Sequence, residues 1–159
     1  HLGFDEGENF FSVVLPGDYK AHVVFFFENG KAARVELSGY ATKTNRRKLT
    51  GAYSDKSPLK SILVLSEEKD IAVFSTEGRA LIVNTGLLSP KATRNTQGVG
   101  VMTMKPKWRL DRAQYLEDTK IKNIKYVNYQ RTTCKILYVL FFFAKCSVNF
   151  VLTSGLSSK

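Results

Sequence analysis

Cysteine and histidine are scarce in this chain. Cys134 and Cys146 stand twelve residues apart, and the two histidines, His1 and His22, lie far from both. A zinc-type centre needs several such ligands at close spacing. Their scarcity argues against a bound metal, and with nothing pointing to secretion the two thiols are expected to be reduced and buried. A Gly-rich phosphate loop is also missing, which weighs against an ATPase site. No useful stretch keeps the 3.6-residue hydrophobic period of an amphipathic helix. The apolar run over residues 10–15 follows Asp5, Glu6 and Glu8, the opposite of a cationic leader, so no signal peptide is expected. The chain opens on His1 rather than Met, which points to a piece of a longer protein.

What is present is positive charge. Lys and Arg number 24 against 14 Asp and Glu, a formal charge of +10 with a pI near 9.7. A field of that sign attracts polyanions, nucleic acid above all and an anionic membrane surface next. At 159 residues the chain is long enough for one domain with a real core.

Turn chemistry divides the first two thirds into short strands. Residues 10–15 are strand-length and run into Pro16-Gly17-Asp18. The apolar stretch 22–27 meets Glu28-Asn29-Gly30 and then an alternating stretch at 31–37. Asn-Gly between two such runs signals a hairpin, because a type I′ turn needs positive φ at both central positions. Further strands are expected at 61–66, 71–74 and 79–84, the last two joined by a turn at Glu77-Gly78. Residues 110–117 read as either a short helix or another strand. His22 lacks any partner in the sequence and reads as a structural residue.

An internal repeat emerges at a shift of 48. It places Gly30 on Gly78, Lys31 on Arg79, Ala32 on Ala80, Val35 on Val83, Lys43 on Lys91 and Arg46 on Arg94. The two copies run near 22–66 and 71–105. Several short strands per unit at this period is the signature of propeller-like blades. The copies differ in one loop, where residues 51–60 form a longer segment in the first.

Two basic loops sit at matching places in the copies. The first holds Lys43, Arg46, Arg47 and Lys48 within six residues and with no acid between them, so they are either solvated or face a polyanion. The second, residues 91–101, carries Lys91 and Arg94 into a Gly-punctuated run. Lys105, Lys107 and Arg109 continue the charge around Trp108, which either packs at an edge or stacks on a base.

Composition shifts near residue 122. Beyond Asp118 there is no acidic residue, while seven Lys or Arg follow. Residues 136–156 are about the length of a membrane span, but Lys145 and Asn149 fall in its middle. A central Lys costs roughly 2.5–3.5 kcal/mol on insertion scales. A pair of buried strands is the other folded reading, and no membrane partner is expected. Residues 123–159 stand apart as an atypical basic and apolar tail, whose composition fits a frameshifted or misassembled end of a coding sequence as well as a protein segment.

At Asn45-Arg46-Arg47-Lys48-Leu49, Ala52-Tyr53-Ser54-Asp55-Lys56-Ser57-Pro58-Leu59, and above all Phe74-Ser75-Thr76-Glu77-Gly78-Arg79-Ala80 with Arg94-Asn95-Thr96-Gln97-Gly98-Val99, residues 4–122 resemble the C-terminal domain of the A subunit of bacterial type IIA DNA topoisomerases. The resemblance implies an all-β fold of propeller-like β-pinwheel blades, with β-pinwheel repeats over residues 1–122. Material for two clear blades and part of a third implies an incomplete ring. It implies duplex DNA as partner, bound and wrapped with little sequence specificity. Lys43, Arg46, Arg47, Lys48, Arg79, Lys91 and Arg94 would be phosphate contacts, with Lys105, Lys107 and Arg109 extending the row.

The same resemblance implies a cytoplasmic, nucleoid-associated bacterial protein working with the rest of the A subunit and with an ATPase B subunit. No cofactor is expected in this chain; ATP and Mg would belong to other domains. The strand-cleaving tyrosine would likewise lie elsewhere, since no tyrosine here has a matching context. The Gln-Arg-Arg-Gly-Gly-x-Gly-like box of gyrase is absent, so gyrase is not separated from topoisomerase IV-like relatives. A propeller-like platform for protein interaction, its basic face solvated, is the reading from a different class.

Overall fold

Asn29 and Gly30 close the first hairpin, but not as the expected type I′ turn: Asn29 keeps negative φ, and the turn spans residues 27–30, the Gly30 N–H donating to the Phe27 carbonyl at 3.0 Å. The backbone of Gly30 takes φ +80°, and a Cβ there would stand 2.2 Å from the Met102 carbonyl oxygen, so this position accepts only glycine. The turn joins β1 (His22–Phe27) to β2 (Lys31–Glu36), and β1 also pairs antiparallel with β3 (Leu59–Leu65). The computed structural model from which this follows describes residue 6, residues 10–42 and 48–119, and the backbone of residues 138–141.

A second hairpin repeats the first. Strands β4 (Asp70–Ser75) and β5 (Arg79–Asn84) begin and end 48 residues after β1 and β2, and their cross-strand pairs shift by the same amount, Val23 with Val35 becoming Ile71 with Val83. A 3-10 turn follows each hairpin, at Leu37–Tyr40 and Thr85–Leu87. Even the irregularity recurs: the third strand slips register between Phe26 and Phe27 in one sheet and between Phe74 and Ser75 in the other.

The fourth strands interlock the copies. Beyond β5 the chain returns to the first sheet, where β6 (Val99–Gly100) pairs with β2. It then enters the second sheet as β7 (Leu110–Tyr115) beside β4, and β8 (Tyr138–Phe141) pairs with β5. The two sheets are therefore ordered β3-β1-β2-β6 and β7-β4-β5-β8. Each takes its last strand from chain that follows the rest of it.

The sheets stack front to back. Side chains alternate across a strand, and on β1 they divide cleanly: Val24 and Phe26 join the central core, while Val23, Phe25 and Phe27 enter a separate cluster on the far face. On β4 the division inverts, since Ile71 and Val73, the counterparts of Val23 and Phe25, face the central core. The same exchange holds for Ala33 and Val35 against Leu81 and Val83. The back of one sheet thus meets the front of the next, as in successive propeller blades and unlike a sandwich of like faces. Leu88, Val101, Met102 and Leu110 fill the space between, all buried.

Two expectations change. Residues 10–15 do not pair as a strand: Phe10, Phe11, Val13 and Leu15 are exposed, and Val14 alone of that run packs on the far-face cluster. One packed side chain does not offset the cost of ordering the run as a strand. Residues 110–117 resolve as β7 followed by a 3-10 turn at Leu116–Asp118. Among the described residues no helix is long and apolar enough to cross a membrane, and no group of His, Cys, Asp and Glu could hold a metal ion. Lys43, Arg46, Arg47, Cys134, Cys146 and the remainder of the apolar tail lie outside the described residues.

Candidate nucleic-acid interface

The segment 91–101 forms the outer edge of the first sheet. Lys91 begins it beside β2, its N–H donating to the Arg34 carbonyl at 2.9 Å while its own carbonyl accepts from Glu36 at 3.2 Å. The chain then runs back along β2 until Val99 and Gly100 pair with Ala32 and Lys31. Gly98 makes that close approach feasible. Its φ is +72°, and a Cβ would stand 2.0 Å from the Ala32 carbonyl oxygen. The Thr96 hydroxyl accepts from the Gly98 N–H at 3.3 Å, and the Gln97 side chain accepts from Lys31 Nζ at 3.5 Å.

Two cations of this edge face outward without a carboxylate partner among the described residues. Lys91 is exposed. Arg94 is half-buried and lies over the Tyr40 ring, 5.9 Å from its centroid. Tyr40 in turn donates its hydroxyl to the Ala52 carbonyl at 2.5 Å. Burial pushes that phenol up to about 12, against the opposing pull of the Arg94 cation. The loop of the second copy is thereby held against the 3-10 turn of the first.

A second basic group surrounds the hairpin turns. Arg109 Nε pairs with Glu28 at 3.3 Å, and Lys60 reaches the same carboxylate at 3.0 Å. Arg109 also donates to the carbonyls of Pro106 and Trp108. At the next turn Glu77 accepts from Arg79 at 3.3 Å and from Lys105 at 3.1 Å. The Lys105 bond, first among several, holds the Glu77 carboxyl below its usual range. Backbone bonds tie the two turns together: the Leu110 N–H donates to the Glu28 carbonyl, and the Thr76 N–H donates to that of Arg109. With Lys31 beside Gly30 and Lys107 exposed, cations outnumber Glu28 and Glu77 around the two turns, and Asp111 nearby is paired with Arg112 at 2.8 Å.

The other end of the second sheet has the opposite sign. Its loops carry Glu67, Glu68, Asp70, Glu117 and Asp118, and Lys69 pairs there with Glu117 at 2.9 Å. Charge is therefore segregated along the strand direction, a polarity that a bare count of +10 does not reveal. His22, at the start of β1, is shifted below its ordinary value by burial and by the Arg34 charge, and makes no contact that would mark it as a catalyst.

Of the ten residues read from the sequence as phosphate contacts, seven are described. Lys91, Arg94 and Lys107 project without an acid partner among the described residues, Arg79, Lys105 and Arg109 are held by carboxylates, and Lys48 is exposed. Sequence reasoning missed Lys31, which follows the Gly30 turn directly, and Lys60, which joins the turn end only through its pairing with Glu28 across strands.

No family model matches the chain, and no curated protein matches it. Solved structures are similar, two among them as follows. One is the C-terminal domain of DNA gyrase A, with 20% identity and a TM-score of 0.49 over 68% of this chain and 33% of that one. The other is the C-terminal domain of DNA topoisomerase IV, with 21% identity and a TM-score of 0.55 over 69% of this chain and 33% of that one. The chain spans about a third of the length of either. Its stacked four-stranded antiparallel sheets are those of an all-β, β-pinwheel fold, the fold of the topoisomerase IV C-terminal domain.

Proposed function

We propose that this chain is a DNA-binding and DNA-wrapping module of a type IIA topoisomerase A subunit. The observation that carries the reading is the run of cations from Lys91 to Arg109, which passes from the outer edge of the first sheet to the turn end within one continuous segment. Cations spaced along a curved edge release counterions from the phosphate backbone and favour DNA that bends easily, without reading base identity. The shared fold supports this. In the whole protein the module would act beside the remainder of the A subunit and an ATPase B subunit, in the bacterial cytoplasm at the nucleoid. Bond-breaking chemistry, ATP and Mg would reside on other domains.

Titration of linear duplex DNA at several salt concentrations tests the reading. Wrapping predicts a steep negative salt slope, and closing DNA circles with ligase in the presence of the protein should shift their linking number. Reversing the charge of Arg46, Arg47, Lys91 and Arg94 together should abolish binding with the fold intact. A protein-interaction platform instead predicts little binding at physiological salt and an unchanged linking number.

A further inference from the structure

We infer that Glu28 and Glu77 act as built-in competitors of phosphate, holding the turn end back from DNA so that the outer edge at Lys91 and Arg94 engages first. This inference rests on the proposed DNA binding. Each carboxylate is half-buried, with 25% and 20% of its side chain exposed, and each holds two cations. The four partners come from different parts of the chain: Lys60 from β3, Arg79 from β5, and Lys105 and Arg109 from the segment before β7. A DNA phosphate reaching these cations must displace or share a carboxylate already in place. Lys91 and Arg94 carry no such occupant among the described residues.

The two sites also differ in position. Lys91 lies opposite Val35, five residues along β2 from Gly30, which is about 16 Å at the rise of a strand. A duplex seated on the edge can therefore meet Lys31 and Lys107 at the turn end directly, but gains Lys60, Arg79, Lys105 and Arg109 only as Glu28 and Glu77 release them. The module's affinity is set below the maximum that its charge allows.

The test compares two variants of equal net charge. Glu28→Gln with Glu77→Gln frees the four cations, whereas Glu67→Gln with Asp118→Asn removes two acids from the opposite end. In duplex titrations the first is expected to bind more tightly and to steepen the salt slope by about 0.9 for each cation freed. The second should match the wild type apart from a small uniform change. If Glu28→Gln with Glu77→Gln loses its circular dichroism signature, Glu77→Gln alone carries the test and should show about half the effect. Equal slopes for the two variants, with wild-type binding intact, overturn the inference and leave DNA binding standing. Absence of wild-type binding at low salt overturns both.

Discussion

The Arg34 guanidinium crosses from the first sheet to the second and donates to the Thr85 carbonyl at 3.1 Å. Its side chain is only 10% exposed, and the Leu88 carbonyl lies within 3.5 Å of the same nitrogen. The position has no counterpart in the repeat, since Ile82 stands 48 residues on. Arg34→Ala should lower stability by about 1–3 kcal/mol, the cost of taking one of two donors from the Thr85 carbonyl, which keeps the Leu88 N–H, and the donor from the buried Leu88 carbonyl, read by urea unfolding. Arg34→Lys should recover part of this, because an ammonium reaches one acceptor well but cannot present a planar fork.

Gly98 answers to a different constraint. Gly98→Ala places a methyl against the Ala32 carbonyl and forces a left-handed backbone on a residue that resists it. The backbone cost alone is about 1–3 kcal/mol, and relieving the clash should unpair β6 from β2. Hydrogen exchange at the Val101 and Met102 amides, which donate to the Gly30 carbonyl beside this pairing, would accelerate, while Gly51→Ala, where a Cβ meets open space, should leave those amides unchanged.

The two classes of phenylalanine should separate sharply. Phe26 is fully buried between the sheets, and Phe26→Ala should cost about 3–5 kcal/mol. Phe10 is 61% exposed, and Phe10→Ser should change stability by no more than about 0.5 kcal/mol in the same denaturation assay.

Tyr40 gives a pH signature. Its folded-state value near 12 lies above the ordinary 10, so the fold holds the phenolic proton more tightly than the unfolded chain does. The stabilisation is fully present below pH 10 and is lost as pH rises towards 12. Tyr40→Phe should be less stable than wild type at neutral pH, through loss of the bond to Ala52, and should fall away less steeply between pH 10 and 12. Parallel slopes for the two proteins would count against this.

Legibility in the sequence followed the range of the interaction. Both hairpins could be read because Asn29-Gly30 and Glu77-Gly78 are local turn chemistry between apolar runs, and the shift of 48 could be read because it needs only comparison of the chain with itself. The pairing of Val99 and Gly100 with β2 could not, since a two-residue strand carries almost no pattern and its partner lies nearly seventy residues away. The phosphate-contact candidates were chosen by charge, yet whether a cation is engaged depends on Glu28 and Glu77, which meet Arg109 and Lys105 across long separations. The exposed run at 10–15 misled because apolar composition reports what a strand could be made of and not whether its side chains find a core, and here Val14 alone does.

The borrowed edge strand also sets an order of events during synthesis. Once Leu65 has been translated, the first sheet has three of its strands, but β6 begins only at Val99. At about 5–20 residues per second, the edge of β2 waits roughly 2–7 s for its partner. For that interval the nascent chain carries an unpaired strand edge open to a neighbouring ribosome's product. Slowed translation between residues 66 and 98 would lengthen the exposure, and chaperone occupancy of stalled chains should peak within that window.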